Sequence, residues 1–204
     1  MKNLGRVLFR QRIKLDDYLI AGIEVLQKLL QMLLACEPGS PDAEQSEAML
    51  DLQLQLEDGY SLFLRSLDKK YYLPFYWEYM FEVYSNLKKI FAILQTYSTE
   101  KRIYHSRFSF SHFLELEDRV LGNLRCFIGE YLNNRKYAEE LLKNNCHELQ
   151  NFIRLYYHGI ASIGRKEAQS HHFTSRLLEI LLEINMVNNT IQDLLQKILI
   201  GTNL

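Results

Sequence analysis

Turn-forming residues are scarce in this chain: nine glycines and three prolines in 204 residues. A β-sandwich or doubly wound sheet of that length needs many more, so the scarcity favours long helices. Cysteine is scarce as well. Cys36, Cys126 and Cys146 are odd in number and have no CxxC spacing, the pattern of reduced thiols in a cytoplasmic protein rather than of a disulfide framework or zinc site. There is no run of about 18 uncharged apolar residues, so no membrane span is expected, and no signal-peptide pattern. Neither sign of charge dominates: the net charge is −1, which excludes a polyanion-binding surface over the whole molecule. Gly5, Gly159 and Gly164 are isolated and form no phosphate loop.

What the chain does have is periodicity. Hydrophobic residues make up 48% and charged residues 24%, an ordinary globular balance with enough apolar material for a sizeable core. Leu19, Ile23, Leu26, Leu30 and Leu33 mark a helix over 15–35, ended by Glu37-Pro38-Gly39-Ser40-Pro41-Asp42. A second helix spans 42–69. Pro74 breaks the chain, and a third covers 75–98 with Met80, Val83, Leu87, Ile90 and Leu94. Residues 99–111 are polar and aromatic and read as a loop. Helices at 112–131 and 136–163 flank a break at Asn133-Asn134. After a polar connection from Gly164 to His172, a sixth helix covers 173–199. There Leu177, Ile180, Ile184, Val187, Ile191, Leu194 and Ile198 alternate steps of three and four without a fault. The expected fold is an all-α bundle of about six long helices in a single domain, 1–204, with a plan of two three-helix halves, 1–98 and 112–204, joined by 99–111.

No catalytic constellation accompanies these helices. His171-His172 is the one histidine pair, and adjacent side chains on a helix diverge, so a solvated connection is favoured over a metal site. Glu167 and His171 stand four apart, but a bundle metalloenzyme needs a second such pair. Arg102-Ile103-Tyr104-His105-Ser106-Arg107-Phe108, followed by His112, mixes bases with aromatics as RNA-binding patches do. One short patch on a near-neutral chain reads as a loop, and no nucleic acid is expected. Cys146-His147 diverges in the same way, leaving no nucleophile. Glu57-Asp58, Glu117-Asp118 and Glu139-Glu140 are adjacent carboxylates expected on solvated faces. The chain is therefore expected to be no enzyme, with no catalytic residue, no metal ligand and no cofactor.

Two segments point to contacts instead. Tyr71 to Phe81 holds seven aromatics in eleven residues around a helix start. Either the bundle buries this helix on several sides or part of it is an interface. The interface expectation falls on Tyr72, Tyr76, Trp77, Tyr79 and Phe81, between copies or with a partner. Residues 1–14 carry Lys2, Arg6, Arg10, Arg12 and Lys14 and no acid, beside Leu4, Val7, Leu8 and Phe9. That is a basic amphipathic segment for an acidic partner or an anionic membrane surface. The competing reading is a first helix that simply starts earlier. Residues 37–58 are the opposite: Glu37, Asp42, Glu44, Glu47, Asp51, Glu57 and Asp58, with no base.

At the aromatic turn the sequence resembles the PhoU-like family of phosphate-transport accessory and regulatory proteins. Leu67-Asp68-Lys69-Lys70-Tyr71-Tyr72-Leu73-Pro74 matches the family's aromatic-Leu-Pro turn after an acidic helix. Glu78, Met80, Leu87 and Ile90 fall on its Glu and aliphatic positions. Leu177-Leu178-Glu179-Ile180-Leu181-Leu182-Glu183-Ile184-Asn185 is similar to the start of its last helix, so that the likeness covers about half the chain. The family binds metal clusters through Glu/Asp-x-x-x-Asp repeats, where this chain has Lys88-Lys89 and Asn188-Asn189. A charged lysine cannot ligate a hard cation and an amide ligates poorly. The resemblance thus implies two three-helix bundles, lost metal sites, and contact with a phosphate transporter or signalling partner. The alternative is a helical adaptor, or a soluble cytoplasmic partner of a membrane protein, unrelated to phosphate.

Overall fold

The computed structural model describes residues 2–35, 42–68, 76–103, 111–163 and 168–201. They form six α-helices: α1 (Lys2–Ala35), α2 (Asp42–Asp68), α3 (Trp77–Ile103), α4 (Ser111–Glu130), α5 (Arg135–Ile163) and α6 (Ala168–Gly201). No strand occurs among the described residues, so the all-α bundle stands.

Several boundaries differ from the sequence reading. α1 begins at Lys2 rather than near 15, α3 runs on through residue 103, and α6 starts at Ala168 inside the expected polar connection. Polar composition misplaces each of these ends because a helix needs only one apolar stripe, and its last turns need none. The Asn133-Asn134 break lies as expected. Residues 131–133 turn, and Asn134 Oδ1 accepts the Tyr137 amide at 3.2 Å, capping the start of α5.

The path of the chain follows from which stripes are apolar. α1 packs against α2, α3 and α4, so it needs apolar residues on several faces. Leu15, Leu19, Ile23, Leu26, Leu29 and Leu30 are all fully buried. The same breadth makes Leu15–Ala35 long and apolar enough to cross a membrane by length and composition, although Asp16, Asp17, Glu24 and Lys28 interrupt it. Most of its large apolar side chains are occupied by the bundle, with Leu34 left exposed. α6 lies between α3 and α5 and buries two stripes: Ile180, Ile184, Ile191, Leu194 and Ile198, beside Leu181, Leu195 and Leu199. α5 also packs on α4, and the buried residues form one contiguous cluster that runs through all six helices.

The α1–α2–α3 junction is built on Tyr84. Its ring lies 5.5 Å from Phe63 and 5.2 Å from Tyr60, and its hydroxyl donates to the Leu56 carbonyl at 3.3 Å. Two glycines make room: a Cβ on Gly59 would meet the hydroxyl at 2.5 Å, and one on Gly22 would meet the ring at 3.2 Å. Gly22 of α1, Gly59 of α2 and Tyr84 of α3 therefore share one level of the bundle.

Candidate functional site

The aromatic start of α3 divides between core and rim. Tyr72 lies outside the described residues. Tyr76 is buried and meets Tyr131 edge-on at 6.2 Å. Trp77, Tyr79 and Phe81 are half-buried against the core. Phe81 sits 6.0 Å from the Tyr60 ring, and the Lys197 ammonium lies 5.7 Å over Tyr79. Tyr76 thus faces inward with Met80, four residues on, and the others line the margin where α3 meets its neighbours.

Phe81 continues into a shallow groove between α3 and α6, about 430 Å³ in volume, with Ser85, Lys89, Met186, Val187 and Thr190. Met186 is 62% exposed at its edge. It escaped the sequence reading because it sits just outside the heptad seam, beside Val187.

The positions where the resemblance implies lost metal ligands are occupied by internal contacts. Lys88 Nζ lies 2.7 Å from Glu57 Oε2 on α2 and 4.4 Å over the Tyr60 ring. Lys89 donates to Asn86 Oδ1 at 3.1 Å. Asn188 is buried and donates to Glu117 Oε2 at 2.6 Å, and Asn189 donates to the Asn185 carbonyl at 2.8 Å. The ammonium ties α3 to α2, and the amide ties α6 to α4. Among the described residues no three His, Cys, Asp or Glu side chains cluster as metal ligands do.

Glu117 corrects an expectation. It is fully buried rather than solvated, and loss of hydration pushes its carboxyl up to about 8, with the Asn188 donor opposing and Asp118 adding to the rise. Asp118 diverges from it and accepts from Gln27 on α1 at 3.0 Å. The signal was present: Phe113, Glu117, Val120, Leu124 and Phe127 step by four and three, so position 117 lies on the buried stripe of α4.

Glu117 opens a polar seam among α4, α5 and α6. Gln192 Nε2 donates to the Leu142 carbonyl at 2.9 Å and to Cys146 Sγ at 3.4 Å. Glu117 Oε1, Asn145 Oδ1, Asn185 Oδ1 and Gln192 Oε1 are buried without a hydrogen-bond partner among the described residues. A carboxyl in this setting is largely neutral near pH 7 and can donate as well as accept.

The remaining expected positions are not brought together. Lys2, Arg6, Arg10, Arg12 and Lys14 follow one another along α1, but their side chains, like those of His171 and His172 on α6, lie outside the described ones. Cys126 and Cys146 are exposed free thiols, in no disulfide, and Cys36 lies outside the described residues. No protein-family model matches the chain, and no curated protein matches it.

Proposed function

We propose that this chain is a non-enzymatic, PhoU-like accessory or regulatory protein that acts in the cytoplasm through protein contacts, with a phosphate transporter or its signalling partner as the target. The observation that carries this reading is the use made of the family's ligand positions. Lys88 is held by Glu57 at 2.7 Å and Asn188 by Glu117 at 2.6 Å, so both sites serve to join helices. A member that has given up its metals in this way retains its surfaces, and the rim of Trp77, Tyr79 and Phe81 beside exposed Met186 is the surface offered here. Half-buried aromatics beside a flexible methionine suit a protein contact.

Deleting the gene in its native host should alter phosphate uptake. The wild-type chain should restore it, whereas Trp77→Ala and Met186→Lys should not, despite folding normally. Phosphate uptake unchanged by the deletion would sink the phosphate assignment. Capture of a membrane protein without any phosphate phenotype would favour the unrelated adaptor.

Elemental analysis of the purified chain is expected to find no stoichiometric Mg, Mn, Fe or Zn, and a chelator should leave its melting temperature unchanged. About one metal per chain, lost on mutating Glu57 or Glu183, contradicts the metal-free reading.

A further inference from the structure

The α1–α2 hairpin carries opposite charge towards its two ends. The basic stretch, residues 2–14, is the start of α1. α4 does not flank it: α1 and α4 run antiparallel, with Gln27 bonded to Asp118 and Glu24 near Arg125, and α4 ends at Glu130 beside the contact of Tyr131 with Asp16. The helix continues from Asp16 back to Lys2, about 20 Å of backbone at 1.5 Å per residue.

The acidic stretch lies on α2. Leu50 and Leu54 are each 56% exposed on its outer side, flanked by exposed Glu47, Asp51 and Asp58. None of these three acids forms an ion pair among the described residues, and Asp51 accepts only from Gln55. Leu50 also borders an open groove between α2 and α3 of about 730 Å³, whose lining holds no base.

The two stretches cannot meet inside one molecule. Gly22 and Gly59 share a level, and α2 runs back along α1 from the 36–41 connection. Residue 8 lies fourteen positions from Gly22 in one direction, and Asp51 eight positions from Gly59 in the other. At 1.5 Å per residue they are about 30 Å apart along the axis, and even the near ends, residue 14 and Asp58, are about 13 Å apart, beyond a screening length of about 8–10 Å. Two copies with antiparallel hairpins remove the mismatch. The basic end of each then lies on the acidic, leucine-bearing face of the other, and the contact occurs twice about a two-fold axis.

We infer that the outer face of α2 around Leu50 and Leu54 docks the basic N-terminal stretch of α1 from a second copy of this chain, giving a salt-sensitive symmetric dimer. This goes beyond the accessory reading, because it needs no transporter, and it can fail without that reading failing.

A charge swap tests it, read by sedimentation equilibrium on the full chain. The wild type should dimerise at about 0.05 M salt and dissociate at least tenfold more readily at about 0.5 M. Glu47→Lys/Asp51→Lys/Asp58→Lys should be monomeric, and so should Arg6→Glu/Arg10→Glu/Arg12→Glu. Mixed, the two variants should form a heterodimer, because both contacts are then complementary again. Leu54→Asp tests the apolar part separately and should also give a monomer, while circular dichroism verifies that every variant keeps its helicity.

A wild type that is monomeric at low salt overturns the proposal. So does a dimer indifferent to the reversals, or a mixture that stays monomeric. If the wild type stays monomeric yet sediments with phosphatidylserine vesicles, and the arginine reversals abolish that, a membrane surface is the ligand instead.

Discussion

At the scale of single residues, Glu117 carries the sharpest consequence. Its carboxyl titrates near 8 in the folded chain, against an ordinary value of 4.5. A proton is therefore held more tightly folded than unfolded, and stability falls as pH rises from about 4.5 through 8. The loss should reach about 3–5 kcal/mol above pH 8, at 1.36 kcal/mol per unit. Urea unfolding at pH 5, 6.5 and 8 should show this decline in the wild type. Glu117→Gln, which keeps an acceptor for Asn188, should abolish most of it, and equal slopes for the two proteins would refute the assignment. Residue type alone suggests a solvated Glu117-Asp118 pair. The four-and-three spacing already placed residue 117 inward. By contrast the partners Asn188 and Gln192 were not legible, because they occupy a second buried stripe of α6, and only the packing of α5 shows that this stripe is covered.

At the scale of helices, the Tyr84 junction shows what periodicity conveys and what it omits. The stripes of α1, α2 and α3 are plain in the sequence, but nothing in the spacing says that Gly22 and Gly59 admit one tyrosine between three helices. Gly59→Ala would ordinarily stabilise an exposed helix by about 1 kcal/mol. Here its methyl group meets the Tyr84 hydroxyl, 2.5 Å away, and drives it from the Leu56 carbonyl. The variant should be less stable by about 1–3 kcal/mol, through overpacking and a lost hydrogen bond. Tyr84→Phe removes the offending oxygen, so the double variant should be more stable than the two single effects added together. Strict additivity in a denaturation cycle would show that the close approach has no energetic role. The aromatic segment behaved similarly: its density announced contact on several sides, but which side each ring takes depends on where α3 starts, and Tyr76 sits in the turn just before it.

At the scale of the whole molecule, the plan of two three-helix halves has to be set beside one continuous core. α1 packs on α4 and α3 on α6, so neither half buries its apolar faces alone. Heating or urea should give a single transition, coincident by helicity and by aromatic fluorescence. Two resolved transitions would show halves that fold on their own. The broad burial of α1 has a further consequence, in time rather than space. A ribosome makes Leu15–Ala35 well before α4, the helix that covers one side of it, at about 5–20 residues per second. For roughly 5–20 s the emerging chain presents a stretch apolar enough to pass for a membrane segment. A helix that joins three others in the finished bundle is thus, during synthesis, the part of this protein most in need of a chaperone.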